Sequence, residues 1–396
     1  MKVIIIVDNL DLTMGGGVGS FLYDMSRTMK EKGTDLCFLS VIRNRNDADE
    51  MKTDLESRGI PFYCAGARDR KDALIHFVRY TRKMRKIIRA AAGKEETVCS
   101  MHLKMGVLYG AVATMGMPSV KCTETYHSQY SHYWLENRVL EKRIALYIAC
   151  SESAGEEFRE RFSPKEGKLI TIPNGIRCAE IREKALKGTG KEKHAFQMLS
   201  VGRLEKQKNI LLTAQAFTSF SGDACYRIIG AGTQEKAIRA ACAGSRVVEI
   251  EDAKPRQDVL AELLQSDLAV IPSLWEGLSI FLLEAIALGT PLMLSDIPSF
   301  RNVFHEKALN PQEEWRLCRW GFLVRTDSGK AYREAAEYFR AREAELRGPM
   351  RDALKEYAEE NDMSLCAEKY LETFNSLTRK NPDAEKGRRN KAGCGK

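Results

Sequence analysis

Apolar residues along this chain come in short blocks of strand length, separated by longer polar stretches in which apolar positions recur at helical spacing. The pattern is sharpest between 267 and 297, DLAVIPSLWEGLSIFLLEAIALGTPLMLSDI. Runs at 268–271 and 291–294 read as buried strands, and a run from about 279 to 288 reads as the helix between them. Other strand-like runs lie at 3–7, 36–41, 97–101, 144–150, 225–229 and 246–250, and one more ends in KCTETYHS. Helices are expected over 71–92 and near 105–115, 153–162, 256–264, 328–347 and 350–377. Strands alternating with helices imply an α/β chain built on parallel sheets.

The stretch 177–193, after the strand and turn KLITIPNGI, is polar and charged with Gly188 and Gly190, as a linker requires. The domain boundary is therefore placed there. An N-terminal domain covers 1–176, a C-terminal domain 194–350, a final helix 351–377, and a basic tail 378–396 without apolar periodicity is expected to be disordered.

A total of 396 residues, 44% hydrophobic and 29% charged, suits a soluble chain of two domains. The formal net charge of +8 favours anionic partners without choosing among them. Eleven cysteines, an odd number with no C-x-x-C pair, read as reduced thiols in a cytoplasmic protein. The apolar run at 3–7 is too short for a signal-peptide core or a membrane span, and no uninterrupted run approaches ~20 apolar residues. Any membrane contact must then be peripheral. Residues 71–92 are the candidate for it, because Arg79, Arg82, Lys83, Arg85, Lys86 and Arg89 interleave with apolar positions at helical spacing.

Ligands of a βαβ unit bind at the carboxyl ends of its strands, where helix N-termini offer N–H groups to anions. Glu276 and Gly277 fall at such a turn. Glu284, eight residues later, lies inside an apolar helix and needs a partner, which a ribose diol would supply. Taken alone, the two glutamates read equally well as solvated acids. The strand 197–201 ends at Gly202, and Arg203 and Lys208 follow beside a helix start, where two cations can clamp a diphosphate; Lys206 is the alternative lysine. A glycine loop at 15–19 follows the first strand, and Gly230-Ala231-Gly232 ends another. His127 sits just past a strand end, with His102 and His132 as weaker candidates. Asp47 and Asp49 form an Asp-x-Asp pair, but inside the polar stretch RNRNDADEMK rather than at a strand end, so no metal site is expected.

Glu-x7-Glu in the setting SLWEGLSIFLLEAIALGTP resembles the signature of the family-4 retaining glycosyltransferases, and GRLEKQKN is similar to that family's GR-L-x-x-x-K-N pattern. IPNG and the Tyr-His-Ser loop resemble further family segments. The likeness covers about residues 1–375. It implies the GT-B architecture, two Rossmann-like doubly wound parallel-sheet domains facing across a cleft, with the last helix crossing back to the N-terminal domain. It also implies a nucleotide-sugar donor, a UDP- or GDP-sugar, as substrate, no cofactor, and a glycan or lipid-linked acceptor in cell-envelope polysaccharide synthesis. The implied activity is hexosyl transfer, with retention by same-face attack and the leaving phosphate as base.

On that resemblance Arg203 and Lys208 hold the diphosphate with Gly202 and Gly230. Gly16 and Gly17 face the donor phosphate, and Ile250 marks the loop near the base. Glu276, Gly277, Leu278 and Ser279 meet the sugar, Glu284 the ribose, and His127 the donor sugar at the reacting centre. The chain departs from the pattern at Leu278-Ser279-Ile280, where relatives often carry Gly or Pro, and 302–319 has no recognisable match. Two other readings of such a chain are a non-catalytic glycosyltransferase-like accessory protein, disfavoured by the intact Arg203, Lys208, Glu276 and Glu284, and a GT-B sugar-nucleotide epimerase, disfavoured by GRLEKQKN. Nucleic acid is not an expected partner, since no recognition motif accompanies the charge. The expected location is cytoplasmic, or peripheral on the inner face of the cell membrane.

Overall fold

Lys2–Val7 (β1) is a wholly apolar run after its first residue and is buried from Val3 onward. Such runs arise where helices cover both faces of a parallel sheet, so that neither alternate set of side chains meets water. The computed structural model describes residues 1–9, 16–43, 50–127, 140–190, 195–277 and 279–378. They form two units. The first holds Met1–Ala149, Phe158–Ile172 and the described residues from Ala367; the second holds Cys150–Glu157 and Pro173–Cys366.

In the first unit β1 is joined by β2 (Asp35–Ile42), β3 (Phe62–Ala67), β4 (Thr97–His102), β5 (Val120–Tyr126), β6 (Ile144–Ala149) and β7 (Leu169–Thr171). Their order across the sheet is β3-β2-β1-β4-β5-β6-β7, all parallel. The second unit contains β8 (Gln197–Val201), β9 (Cys225–Ile229), β10 (Val248–Glu251), β11 (Leu268–Ile271), β12 (Leu292–Ser295), β13 (Trp315–Cys318) and β14 (Gly321–Val324). Its order is β10-β9-β8-β11-β12-β14-β13, parallel except for the β13–β14 pair. Side chains of β8, β11, β12 and β14 alternate between two cores: Leu199, Ala269, Ile271, Leu292 and Leu323 pack on one face, and Met198, Leu268, Val270, Met293 and Phe322 on the other. Each sheet thus reverses strand order once, between β1 and β4 and between β8 and β11. The crevice outside the carboxyl ends of those strands is where a doubly wound sheet binds ligands.

Several expectations are corrected. The basic stretch 71–92 is two helices, Arg70–Ile75 and Phe77–Ala92, broken at His76, whose Nδ1 lies 3.2 Å from the Asp72 carbonyl and 3.0 Å from its carboxylate. Gly16 and Gly17 open the helix Gly16–Glu31 rather than sitting in a loop, while Gly15 lies outside the described residues. The polar stretch 177–193 holds the helix Cys178–Lys187, which buries Ile181 and Ala185; two buried positions are too few to show as a period. The C-terminal helices break at Arg342 and Asn361, not at Pro349, giving Gly329–Ala341, Glu343–Glu360 and Met363–Thr378. Pro349 is carried inside a helix whose buried Met350, Leu354 and Ala358 keep the packing stripe continuous. Residues 302–319, which looked unpatterned, include the end of the helix Pro298–Phe304 and the edge strand β13. Asp47, Asp49, His132, Leu278 and the basic tail from 379 lie outside the described residues.

Candidate active site

At the reversal point of the second sheet, β8 ends at Gly202 and β9 at Gly230, and the two turns touch backbone to backbone. A Cβ on Gly230, at φ +155°, would lie 1.9 Å from the Gly202 carbonyl oxygen, so no other residue fits. Gly202 itself has φ +151°. The Leu204 N–H donates to the Ala231 carbonyl at 2.9 Å, which ties the β8 turn to the β9 turn. From there the chain makes one 3₁₀ turn, Lys206–Lys208, and Asn209 in the left-handed region (φ 54°) redirects it into the helix Ile210–Phe217.

That turn is stitched to the loop after β11. The Leu274 N–H donates to the Gln207 carbonyl at 2.8 Å, and Gln207 Nε2 donates to the Trp275 carbonyl at 2.9 Å. Lys208 Nζ then reaches Glu276 Oε1 at 2.5 Å, and Ser273 Oγ donates to the same oxygen at 2.8 Å. The Lys208 and Glu276 side chains are 18% and 8% exposed, so this ion pair is shielded on most sides but open on one. Arg203 beside it is exposed and enters no ion pair among the described residues. A shielded lysine, a free arginine and glycine backbone at strand carboxyl ends form a cationic cradle suited to an anionic leaving group. Gly202, Arg203, Lys208, Gly230, Glu276 and Gly277 therefore occupy the turns at this one reversal point.

Other predicted positions have different surroundings. Ser279 caps the helix Ile280–Leu288, its Oγ accepting from the Leu282 N–H at 3.4 Å. Glu284 is buried, as its apolar helix suggested, but its partner is protein: Arg256 Nε donates to Glu284 Oε1 at 2.7 Å. Ile250 lies within β10, not in the loop after it; its side chain packs on the core and its carbonyl accepts from Arg239 at 3.2 Å. Lys206 is exposed. Sequence reasoning missed Arg256, Ser273 and Gln207. Ser273, three residues before Glu276, was within reach of inspection, whereas Arg256 carries no local signal.

In the first unit the equivalent reversal point is closed by the protein itself. Asp8, just after β1, accepts from the Met105 and Gly106 N–H groups at 2.8 and 2.9 Å, filling the N-terminus of the helix Lys104–Ala113 where an anion would otherwise bind. Burial raises the Asp8 pKa, opposed mainly by the Gly106 N–H. His127 follows β5 and is 7% exposed, its Nε2 lying 3.0 Å from His102 Nδ1, and His102 Nε2 lies 3.1 Å from Ser100 Oγ. Burial lowers the His127 pKa to about 4 and also depresses that of His102. Both rings are therefore neutral at pH 7, and His127 acts as a hydrogen-bonding imidazole, not as a cation.

A stability consequence follows. The folded pKa lies below the unfolded value of about 6.5, so between the two the unfolded chain binds the proton and the folded one does not. Stability is fully present above about pH 6.5 and is lost as pH falls towards about 4, by on the order of 3 kcal/mol for His127 alone. Urea unfolding across that window is expected to show a His127→Gln variant with a flatter pH profile than wild type; equal slopes would refute the assignment.

Residues 15–180 match the family model described as Glycosyltransferase Family 4, and residues 181–361 match Glycosyl transferases group 1. The chain is similar to a glycogen synthase of Mycobacterium tuberculosis, 32% identical over 157 residues, which is 38% of this chain and 37% of that protein. It is also similar to an Escherichia coli UDP-Gal:alpha-D-GlcNAc-diphosphoundecaprenol alpha-1,3-galactosyltransferase, 31% identical over 147 residues, 33% of this chain and 37% of that one. The matched stretches thus span little more than a third of these relatives. Among solved structures, Anabaena HepE in complex with UDP superposes with a TM-score of 0.74 at 14% identity, covering 95% of this chain and all of the other, a likeness of fold. The two family models between them take in residues 15–361, the Lys208–Glu276 turns among them, and the chain belongs to the family-4 glycosyltransferases of GT-B fold.

Proposed function

We propose that this protein is a retaining hexosyltransferase that moves a sugar from a UDP- or GDP-sugar to a glycan or lipid-linked acceptor, in cell-envelope polysaccharide synthesis. The observation that carries the reading is the Lys208–Glu276 ion pair, with Arg203 free beside it, at the carboxyl ends of β8 and β11. In the reaction the bond from the anomeric carbon to the phosphate oxygen breaks, and the diphosphate leaves with the electron pair. Arg203 and Lys208 stabilise that growing charge. The acceptor hydroxyl oxygen bonds to the anomeric carbon on the same face, and its proton passes to the departing phosphate. Glu276, released from Lys208 as the lysine turns to phosphate, accepts hydrogen bonds from sugar hydroxyls. The Escherichia coli relative, named for a UDP-sugar donor and a diphospholipid-linked acceptor, supports both substrate classes.

Calorimetric titration with UDP, GDP and ADP tests this. One nucleotide is expected to bind and to bind at least tenfold more weakly to Arg203→Ala, equivalent to about 1.4 kcal/mol. Failure of all three to bind wild type would overturn the transferase reading.

No helix among the described residues is long and apolar enough to cross a membrane. Leu74, Ile75 and Val78 are 57%, 76% and 59% exposed, and Arg79, Arg82, Lys83 and Lys86 beside them are exposed too. This supports a peripheral contact with an anionic membrane. Co-sedimentation with phosphatidylglycerol vesicles, weakened by salt and by Ile75→Glu, is the expected result; equal sedimentation with neutral vesicles would count against it.

A further inference from the structure

Ser100 and His102 are two residues apart on β4, so both side chains leave the same face of the sheet. His102 pairs in register with Thr125 of the neighbouring β5, and His127 follows two residues after Thr125. This register brings the two histidine rings together at the carboxyl ends of the strands, beside the point where the first sheet reverses its order. Three polar side chains form a line there: Ser100 Oγ lies 3.1 Å from His102 Nε2, and His102 Nδ1 lies 3.0 Å from His127 Nε2. Ser100 and His102 are fully buried, and the Phe21 ring meets His127 edge-on at 5.9 Å, which restrains its rotation. All of these residues belong to the first unit.

A neutral imidazole has one donor nitrogen and one acceptor nitrogen, and burial keeps both rings neutral at pH 7. Only two proton arrangements then satisfy both contacts. In the first, the Ser100 hydroxyl donates to His102 Nε2, His102 Nδ1–H donates to His127 Nε2, and the His127 proton sits on Nδ1. In the second every bond runs the other way: His127 Nε2–H donates to His102 Nδ1, and His102 Nε2–H donates to the Ser100 oxygen. The serine decides between them. Its hydroxyl has no hydrogen-bond partner but His102 Nε2 among the described residues. In the second arrangement its buried proton is therefore left without an acceptor, which is costly.

We propose that Ser100 and His102 are positioning residues that hold His127 as its Nδ1–H tautomer, so that the ring meets a ligand only as a hydrogen-bond donor. The lone pair of His127 is taken up at Nε2 by His102, so the ring has none with which to accept a proton from the acceptor hydroxyl. It donates instead to an oxygen of the sugar or of the departing phosphate, which agrees with a route in which that phosphate takes the hydroxyl proton. The inference rests on the transferase reading, but the tautomer belongs to the free protein and is measured without donor, so the two fail separately.

The test is long-range proton–nitrogen correlation NMR on the full chain at pH 7, which separates a protonated ring nitrogen from a bare one. The chain has six histidines, and His127→Gln and His102→Asn identify the two signals concerned. Wild type is expected to show His127 with Nδ1 protonated and Nε2 bare, in roughly tenfold excess over the other form. Ser100→Ala should abolish that excess, and Ser100→Thr, which keeps the hydroxyl, should restore it. Single-turnover transfer should fall in Ser100→Ala in proportion to the Nδ1–H fraction and recover in Ser100→Thr. The wild-type spectrum is decisive even where a variant fails to fold. Three results would overturn the proposal: His127 carries its proton on Nε2 in wild type; its tautomer is the same in Ser100→Ala; or the tautomer shifts in Ser100→Ala while transfer keeps its wild-type rate.

Discussion

Lys208→Ala is expected to lower kcat/KM for sugar transfer by roughly 10²–10³-fold, the range seen when one preorganised charge-stabilising group is removed. The loss has two parts. The cation that meets the developing diphosphate charge disappears, and Glu276 keeps only the Ser273 hydroxyl, leaving its shielded carboxylate to repel the leaving group. Lys208→Arg separates the parts, since it restores charge but not shape. A guanidinium presents a planar fork where the lysine ammonium presents a compact charge to Glu276 Oε1, so it does not reproduce the same contact. The arginine variant should therefore recover only part of the activity. Glu276→Gln, which keeps a hydrogen-bonding group but lacks charge, should raise KM more than Lys208→Ala does, because it weakens contacts made to the sugar before the transition state. Single-turnover transfer with the donor nucleotide identified by titration measures each value. Wild-type rates from Lys208→Ala would remove the lysine from the mechanism.

What could be read from sequence was whatever rests on local periodicity or on a short motif. The run VIIIV at 3–7 and the block 268–271 are buried on both sides in parallel sheets, as their unbroken apolar character required. Gly202, Arg203 and Lys208 are neighbours in the chain, so their joint placement after β8 followed from a single strand end. Long-range pairing was not legible. The partner of Glu284 is Arg256, 28 residues upstream on another helix, and nothing local to either residue points to the other. The residue types suggested a ribose as the partner and left no local sign of the arginine. The His102–His127 contact likewise joins two adjacent parallel strands across 25 residues. Short elements were also hidden: β13 spans four residues with Arg316 in the middle, and the helix Cys178–Lys187 buries only two side chains. Such elements are held by the neighbours they pack on, and their own composition resembles a loop.

Arg227→Ala is expected to destabilise the second unit by about 3–5 kcal/mol, the cost of removing one partner from a buried ionic group. Arg227 on β9 is 1% exposed, with Nε 3.1 Å from Glu249 and from Glu251, and with a terminal nitrogen on Glu262, itself fully buried. Lys254 bridges Glu251 and Glu262 at 2.5 and 2.9 Å. Three carboxylates share two cations, so loss of Arg227 leaves a net excess of buried negative charge that Lys254 alone cannot offset. Removing Glu249, which is 39% exposed, should cost less than about 1 kcal/mol, because water replaces the lost contact. The paired change Arg227→Leu with Glu262→Leu should recover much of the stability, since it removes the stranded charge together with its partner. For a unit of this size the single alanine variant should lower the unfolding midpoint by roughly 10 °C. Calorimetric scans of the three variants decide the matter: a shift in Arg227→Ala no larger than that of Glu249→Ala would show that the network adds no stability. The network also pins Lys254 in the segment joining β10 to the helix Arg256–Gln265, and that helix carries the Arg256 that pairs with Glu284. Arg227→Ala is therefore expected to loosen the Arg256–Glu284 pair as well, through a residue that touches neither partner.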